Sequence, residues 1–190
     1  MKRAVALVLL LAPLAASAQR PRDLGADAID FGAERGVREG ELKLPPRPRP
    51  ENLIKFDPGR PTSMSFYVDA ASLVVGDDGI IRFTSVAKGD GSSENIVHEG
   101  IRCTTRERKV YAYGKADGTW SETRDAAWNP IRNINVDGYR FTLYQDYFCP
   151  ARGSIRSAAE GVAVLKSGGH PQGHSPGVGA VELQHFTHGR

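Results

Sequence analysis

Residues 72–86 read Ser-Leu-Val-Val-Gly-Asp-Asp-Gly-Ile-Ile-Arg-Phe-Thr-Ser-Val. Two β-branched, aromatic-rich runs flank Asp77-Asp78-Gly79. An Asp-Gly pair supplies the positive φ that a tight hairpin turn requires, so this stretch predicts two adjacent antiparallel strands. Working outward, Phe66-Tyr67-Val68 extends the first run towards the N-terminus. Gly89-Asp90-Gly91-Ser92-Ser93 ends the second run and leads to a third strand near Ile96–Cys103. Arg106-Glu107-Arg108-Lys109 is a polar connection to a fourth, Val110–Gly114, which closes on a turn at Lys115-Ala116-Asp117-Gly118. The pattern is an antiparallel meander of about four strands, with one face packed and the other wet.

Past Trp128-Asn129-Pro130 the periodicity changes. Tyr139–Phe148 fits period 2 through Tyr139, Phe141 and Leu143, and helical spacing through Phe141, Tyr144 and Phe148; the helix is the reading preferred. Ser157-Ala-Ala-Glu160 has the form of a capping box, Ile155, Ala158, Val162 and Leu165 then share a helical face, and Gly168-Gly169 stops it. The predicted fold is therefore α+β, a meander with C-terminal helical elements packed on it. A small closed β-barrel is the alternative, should Tyr139–Phe148 form a strand.

The ends of the chain read differently. Met1-Lys2-Arg3, the apolar run from Ala4 and the small residues Ala16-Ser17-Ala18 form a secretory leader, with cleavage expected after Ala18. Its apolar run is shorter than the roughly 20 residues of a membrane span. Cleavage removes Lys2 and Arg3, so 25 basic residues become 23 against 22 acidic ones, a net charge of +1. A nearly neutral chain has no general attraction to nucleic acid or anionic membrane. Residues 19–50 end in Leu44-Pro-Pro-Arg-Pro-Arg-Pro50 and are expected to be a stiff, disordered linker, with a Pro-rich recognition ligand as the sharper reading. One globular domain is expected over residues 51–167, followed by a disordered tail over 168–190. That tail holds His170, His174, His185 and His188, but no cysteine or fixed carboxylate accompanies them to close a metal site, and no cofactor is expected.

Cys103 and Cys149 are the only two cysteines. A lone pair in an exported chain predicts a disulfide. Glu99 falls among apolar neighbours in the third strand, and Gly100 beside it suggests a bulge or a close backbone approach. The glutamate is thus either a structural group, turned outward by the bulge or paired with arginine, or a partly buried general acid with a raised pKa. Trp120, Glu122, Asp125 and Trp128 could line a groove with it, since aromatic rings beside polar groups suit sugars or peptides.

Phe66-Tyr-Val-Asp-Ala-Ala-Ser-Leu73, Asp78-Gly-Ile-Ile-Arg82, Asn95 to Cys103, Tyr111-Ala112, the two tryptophans and Tyr147-Phe-Cys-Pro150 together resemble the neisserial CNP-one-like family of exported proteins. The resemblance covers roughly residues 51–167. It implies an envelope protein of beta-proteobacterial type and implies no activity, so no catalytic residue carries over. The expectation is a monomeric, non-catalytic periplasmic module that binds or assembles a protein or glycan of the envelope. The alternative is a glycan hydrolase using Glu99 with Glu122 or Asp125, which would need two carboxylates about 5–10 Å apart on one pocket.

Overall fold

The computed structural model describes residues 39–91 and 93–173. The leader, residues 19–38 and the histidines at 174, 185 and 188 lie outside them. Strands β1 (Leu53–Phe56), β2 (Ser65–Val75), β3 (Ile80–Lys88), β4 (Glu94–Arg102), β5 (Glu107–Gly114) and β6 (Trp120–Glu122) pair antiparallel in chain order. β7 (Asn129–Pro130) pairs with Glu107 and Arg108, so it shares one edge of β5 with β6.

The sheet is therefore larger than the four strands expected, and it is open, not a closed barrel. The additional strands are short and sit at the edges. β1, β6 and β7 span 4, 3 and 2 residues, too few for an alternating pattern to stand out in sequence.

The hairpin at Asp77-Asp78-Gly79 forms as expected. Gly79 takes φ 71°, and the amide of Gly76 donates to the carbonyl of Ile80 at 2.9 Å. Irregularity enters β2 instead, between Asp69 and Val74. There the Ser72 hydroxyl donates to the Asp69 carbonyl at 2.8 Å and accepts from the Thr84 amide at 2.8 Å. One side chain thus satisfies backbone groups that the bulge removes from the ladder.

Helix α1 (Ile134–Asp137) starts at Asn133, whose side chain accepts from the amides of Asn135 and Val136. Helix α2 (Tyr139–Thr142) continues as π-helical turns over Leu143–Phe148, so the ambiguous aromatic stretch is helical. The wider turn buries Leu143, Tyr144, Tyr147 and Phe148 together and ends where the Cys149 amide donates to the Tyr144 carbonyl. Helix α3 (Ala158–Ser167) is capped by Ser157, which accepts from the Glu160 amide at 3.1 Å, and stops at left-handed Gly168.

These helices cover one face of the sheet. Phe83 meets Phe148 edge-on at 5.2 Å, and Phe56 meets Tyr147 at 5.8 Å. α3 lies against β1 and β2 so closely that a Cβ on Gly161 would stand 2.6 Å from Leu73 Cδ2. The Cys103–Cys149 disulfide, Cα to Cα 5.3 Å, ties the end of β4 to the end of the π turns. Among the described residues no helix is long and apolar enough to cross a membrane.

Candidate functional site

Alternation along β3 and β4 assigns two sets of side chains to two faces. Ile81, Phe83 and Ser85 pair with Ile101, Glu99 and Val97 on the helix-covered face. Arg82, Thr84 and Val86 pair with Gly100, His98 and Ile96 on the other.

Glu99 is completely buried on the first face. Its Oε1 accepts from the Ser85 hydroxyl at 2.8 Å and the Tyr139 hydroxyl at 2.7 Å, and Arg140 Nε donates to Oε2. Burial opposes the Arg140 charge, but Glu99 outweighs it and raises the guanidinium above its ordinary value. Burial and the same carboxylate push the Tyr139 phenol up. A carboxyl group this fully paired clamps helix α2 to the sheet.

Gly100 marks a close approach. A Cβ there would meet the Tyr111 hydroxyl at 2.9 Å and Ile80 Cγ2 at 3.1 Å. The bulge lies in the partner strand: His98 pairs with Ala112 and Glu99 with Val110, leaving Tyr111 as the extra residue. Glu99 consequently stays inward.

The opposite face carries a different chemistry. His98 is 2 % exposed; its Nδ1 lies 3.1 Å from the Thr84 hydroxyl, and its ring meets Tyr111 at 5.8 Å and Trp120 at 6.0 Å. Burial lowers its pKa to about 4, with Glu99 opposing and Arg82 reinforcing the shift. Cations and rings then alternate across the strands. Arg102 stacks over Trp128 at 4.0 Å, Lys109 lies 5.7 Å from Trp128 and 5.4 Å from Tyr111, and Arg82 lies 5.9 Å from Tyr111.

Carboxylates fasten one end of this row. Asp78 takes a two-pronged bond from Arg82, at 2.6 and 3.1 Å. Burial alone would raise the Asp78 pKa; Arg82 and the amides of Gly40 and Ile80 outweigh it and hold it at about 2. Glu39 accepts from Tyr111 at 2.6 Å and Lys109 at 2.8 Å. These bonds lower its pKa against the effect of burial.

Glu39 belongs to the segment read from sequence as linker. Residues 39–49 lie on this second face as a strap. The Gly40 amide donates to Asp78 at 2.9 Å, Trp120 Nε1 donates to the Pro45 carbonyl at 2.8 Å, and Arg47 donates to the Lys115 carbonyl at 2.6 Å. Arg47 also lies 3.8 Å from Glu94.

The structure does not gather the five candidate groove residues. Trp120 and Trp128 share the strapped face, on either side of Tyr111. Glu99 is on the other side of the sheet, while Glu122, the last residue of β6, and Asp125, on the segment joining β6 to β7, are exposed. The residues that sequence reasoning missed are Arg82, Lys109, Tyr111, His98 and Glu39. Period-2 alternation carried the signal for Arg82 and His98, but the bulge at Tyr111 and the return of Glu39 from outside the meander had none. Among the described residues no group of three or more His, Cys, Asp and Glu could hold a metal ion. His170, the one described tail histidine, lies 3.9 Å from Glu160.

Residues 32–166 match the model of the CNP1-like family. No curated protein and no solved structure matches the chain.

Proposed function

The chain belongs to the CNP1-like family, and from that premise we propose that it is a non-catalytic binding or assembly module of the cell envelope, exported to the periplasm. The observation that carries this reading is the row of alternating cations and rings on the strapped face. Trp128 and Lys109 are only half-buried there, and rings backed by guanidinium and ammonium groups offer flat apolar contact with polar edges, suited to protein or glycan. Glu99 counts against the hydrolase alternative. It is sealed between sheet and helix and paired with Arg140, whereas a general acid must reach its substrate.

The leader pattern ending at Ala18 and the Cys103–Cys149 bond support an oxidising compartment. Sequencing the mature N-terminus tests export and should give Gln19; Met1 on envelope material overturns it. For binding, the full chain is crosslinked in the native envelope beside Trp128→Ala and Lys109→Ala variants of unchanged circular dichroism. Both variants should lose the wild-type adducts. Release of reducing ends from cell-wall glycan by the wild type, abolished in a folded Glu99→Gln variant, would establish the hydrolase instead.

A further inference from the structure

The strap shows what chemistry its face accepts. Glu39, Leu42, Leu44, Pro45 and Pro48 are half-buried, while Gly40, Glu41, Lys43, Pro46, Arg47 and Arg49 are exposed. The prolines of Pro45-Pro46-Arg47-Pro48 favour the left-handed polyproline II helix, whose three residues per turn put Pro45 and Pro48 on one face. The backbone of that helix makes no internal hydrogen bonds, so its carbonyls are free, and a proline offers a carbonyl as its only backbone hydrogen-bonding group. Trp120 reads that carbonyl with its indole N–H at Pro45. Arg47, inside the Pro45-Pro46-Arg47-Pro48 motif, is read twice, by the Lys115 carbonyl and the Glu94 carboxylate.

The strap is held by hydrogen bonds and ion pairs, not by burial. None of residues 39–50 is buried, and a cavity of about 90 Å³ separates Pro45, Pro46, Arg47 and Arg49 from Asp69 and Ala71. We propose that this face is a polyproline-binding groove, occupied in cis by the strap. Its partner in trans is an extended Pro-x-x-Pro segment of another protein with an arginine between the prolines. The proposal rests on the binding-module reading and names its ligand. A tethered strap competes at an effective concentration on the order of millimolar, so the partner must displace it, and weakening the strap must strengthen partner binding.

The test uses the full mature chain and a labelled, end-blocked peptide with the sequence of residues 44–50, followed by fluorescence anisotropy. Substituting Pro45→Ser, Pro46→Ser and Arg47→Ala together leaves every groove residue intact and should tighten peptide binding at least about tenfold over wild type. Adding Trp120→Phe, which keeps a ring but removes the N–H, should weaken binding about fivefold. Bound peptide should also shift the Trp120 indole N–H resonance. If the triple variant misfolds, Arg47→Ala alone should still tighten binding about threefold.

A folded strap variant that ignores millimolar peptide overturns the proposal, as does binding indifferent to Trp120→Phe. A concentration-dependent wild-type dimer with exchanged straps would assign the groove to a second copy and overturn the trans partner. Envelope adducts that depend on Trp128 and Lys109 could survive any of these results, so failure here is separable from failure of the binding-module reading.

Discussion

Arg140, in helix α2, grips the carboxylate of Glu99, in the middle of β4. Their separation of 41 residues makes this bond a fastener between the helical layer and the sheet. Both charges are withdrawn from water, the carboxylate side chain to 1 % exposure and the guanidinium to 19 %.

Breaking such a pair leaves one charge buried without its partner. Glu99→Gln and Arg140→Met should each destabilise the domain by about 3–5 kcal/mol. The double variant should cost clearly less than the sum, because the second change removes the orphan that the first created. Urea denaturation of the four proteins measures the coupling; strict additivity would mean that the pair contributes nothing as a pair.

The disulfide acts on the same helical layer from its far end. Cys103→Ser and Cys149→Ser should each cost about 2–5 kcal/mol, and the double variant little more than either. Thiol titration of the unfolded, unreduced protein should find no free cysteine. Two free thiols in freshly isolated native protein would contradict the bond.

Acid should weaken the strapped face in two stages. His98 has its folded pKa lowered from 6.5 to about 4, so the unfolded chain takes the proton first. Its contribution is whole above the unfolded value and is lost as pH falls from about 6.5 to 4, at most about 3 kcal/mol. Asp78, held at about 2 against an ordinary 3.8, loses its contribution below that window, as pH falls from about 4 to 2. His98→Gln should flatten the upper stage and Asp78→Asn the lower one in pH-dependent denaturation. Unchanged slopes would assign the acid sensitivity to other groups.

Gly100→Ala tests the contact between β4 and the bulged Tyr111. The added methyl would press on a ring whose hydroxyl is fixed by Glu39. The ring cannot move aside without breaking that bond. A loss of about 1–3 kcal/mol is expected in thermal or urea unfolding, along with a shift in the Tyr111 environment by NMR. A neutral substitution would mean that the strap end yields freely.

Local chemistry wrote several features into the sequence where they could be read directly. Asp78-Gly79 forms its hairpin because positive φ is a property of the turn residues themselves. Ser157 and Gly168 bound α3 because caps satisfy backbone groups within a few residues. Cys103 and Cys149 had only each other to pair with. A regular strand period puts Glu99 among apolar neighbours, but Gly100 left open a bulge that would turn it outward; the bulge lies in β5 instead, and Glu99 stays inward, paired with Arg140.

The partners of these groups depended on tertiary structure, because each contact joins residues whose separation carries no periodic signal. Arg140 faces Glu99 only because the helical layer packs back over β4, a contact across 41 residues of chain. Trp120 and Trp128 were read with Glu99 as one groove, but the sheet stands between them, since the faces of β4 and of its neighbours were fixed by register and by the bulge at Tyr111. Composition made residues 39–49 a linker, as proline and arginine offer little to bury. The folded sheet gave that segment a surface, since only there do Tyr111, Trp120 and Glu94 come within reach of Glu39, Pro45 and Arg47.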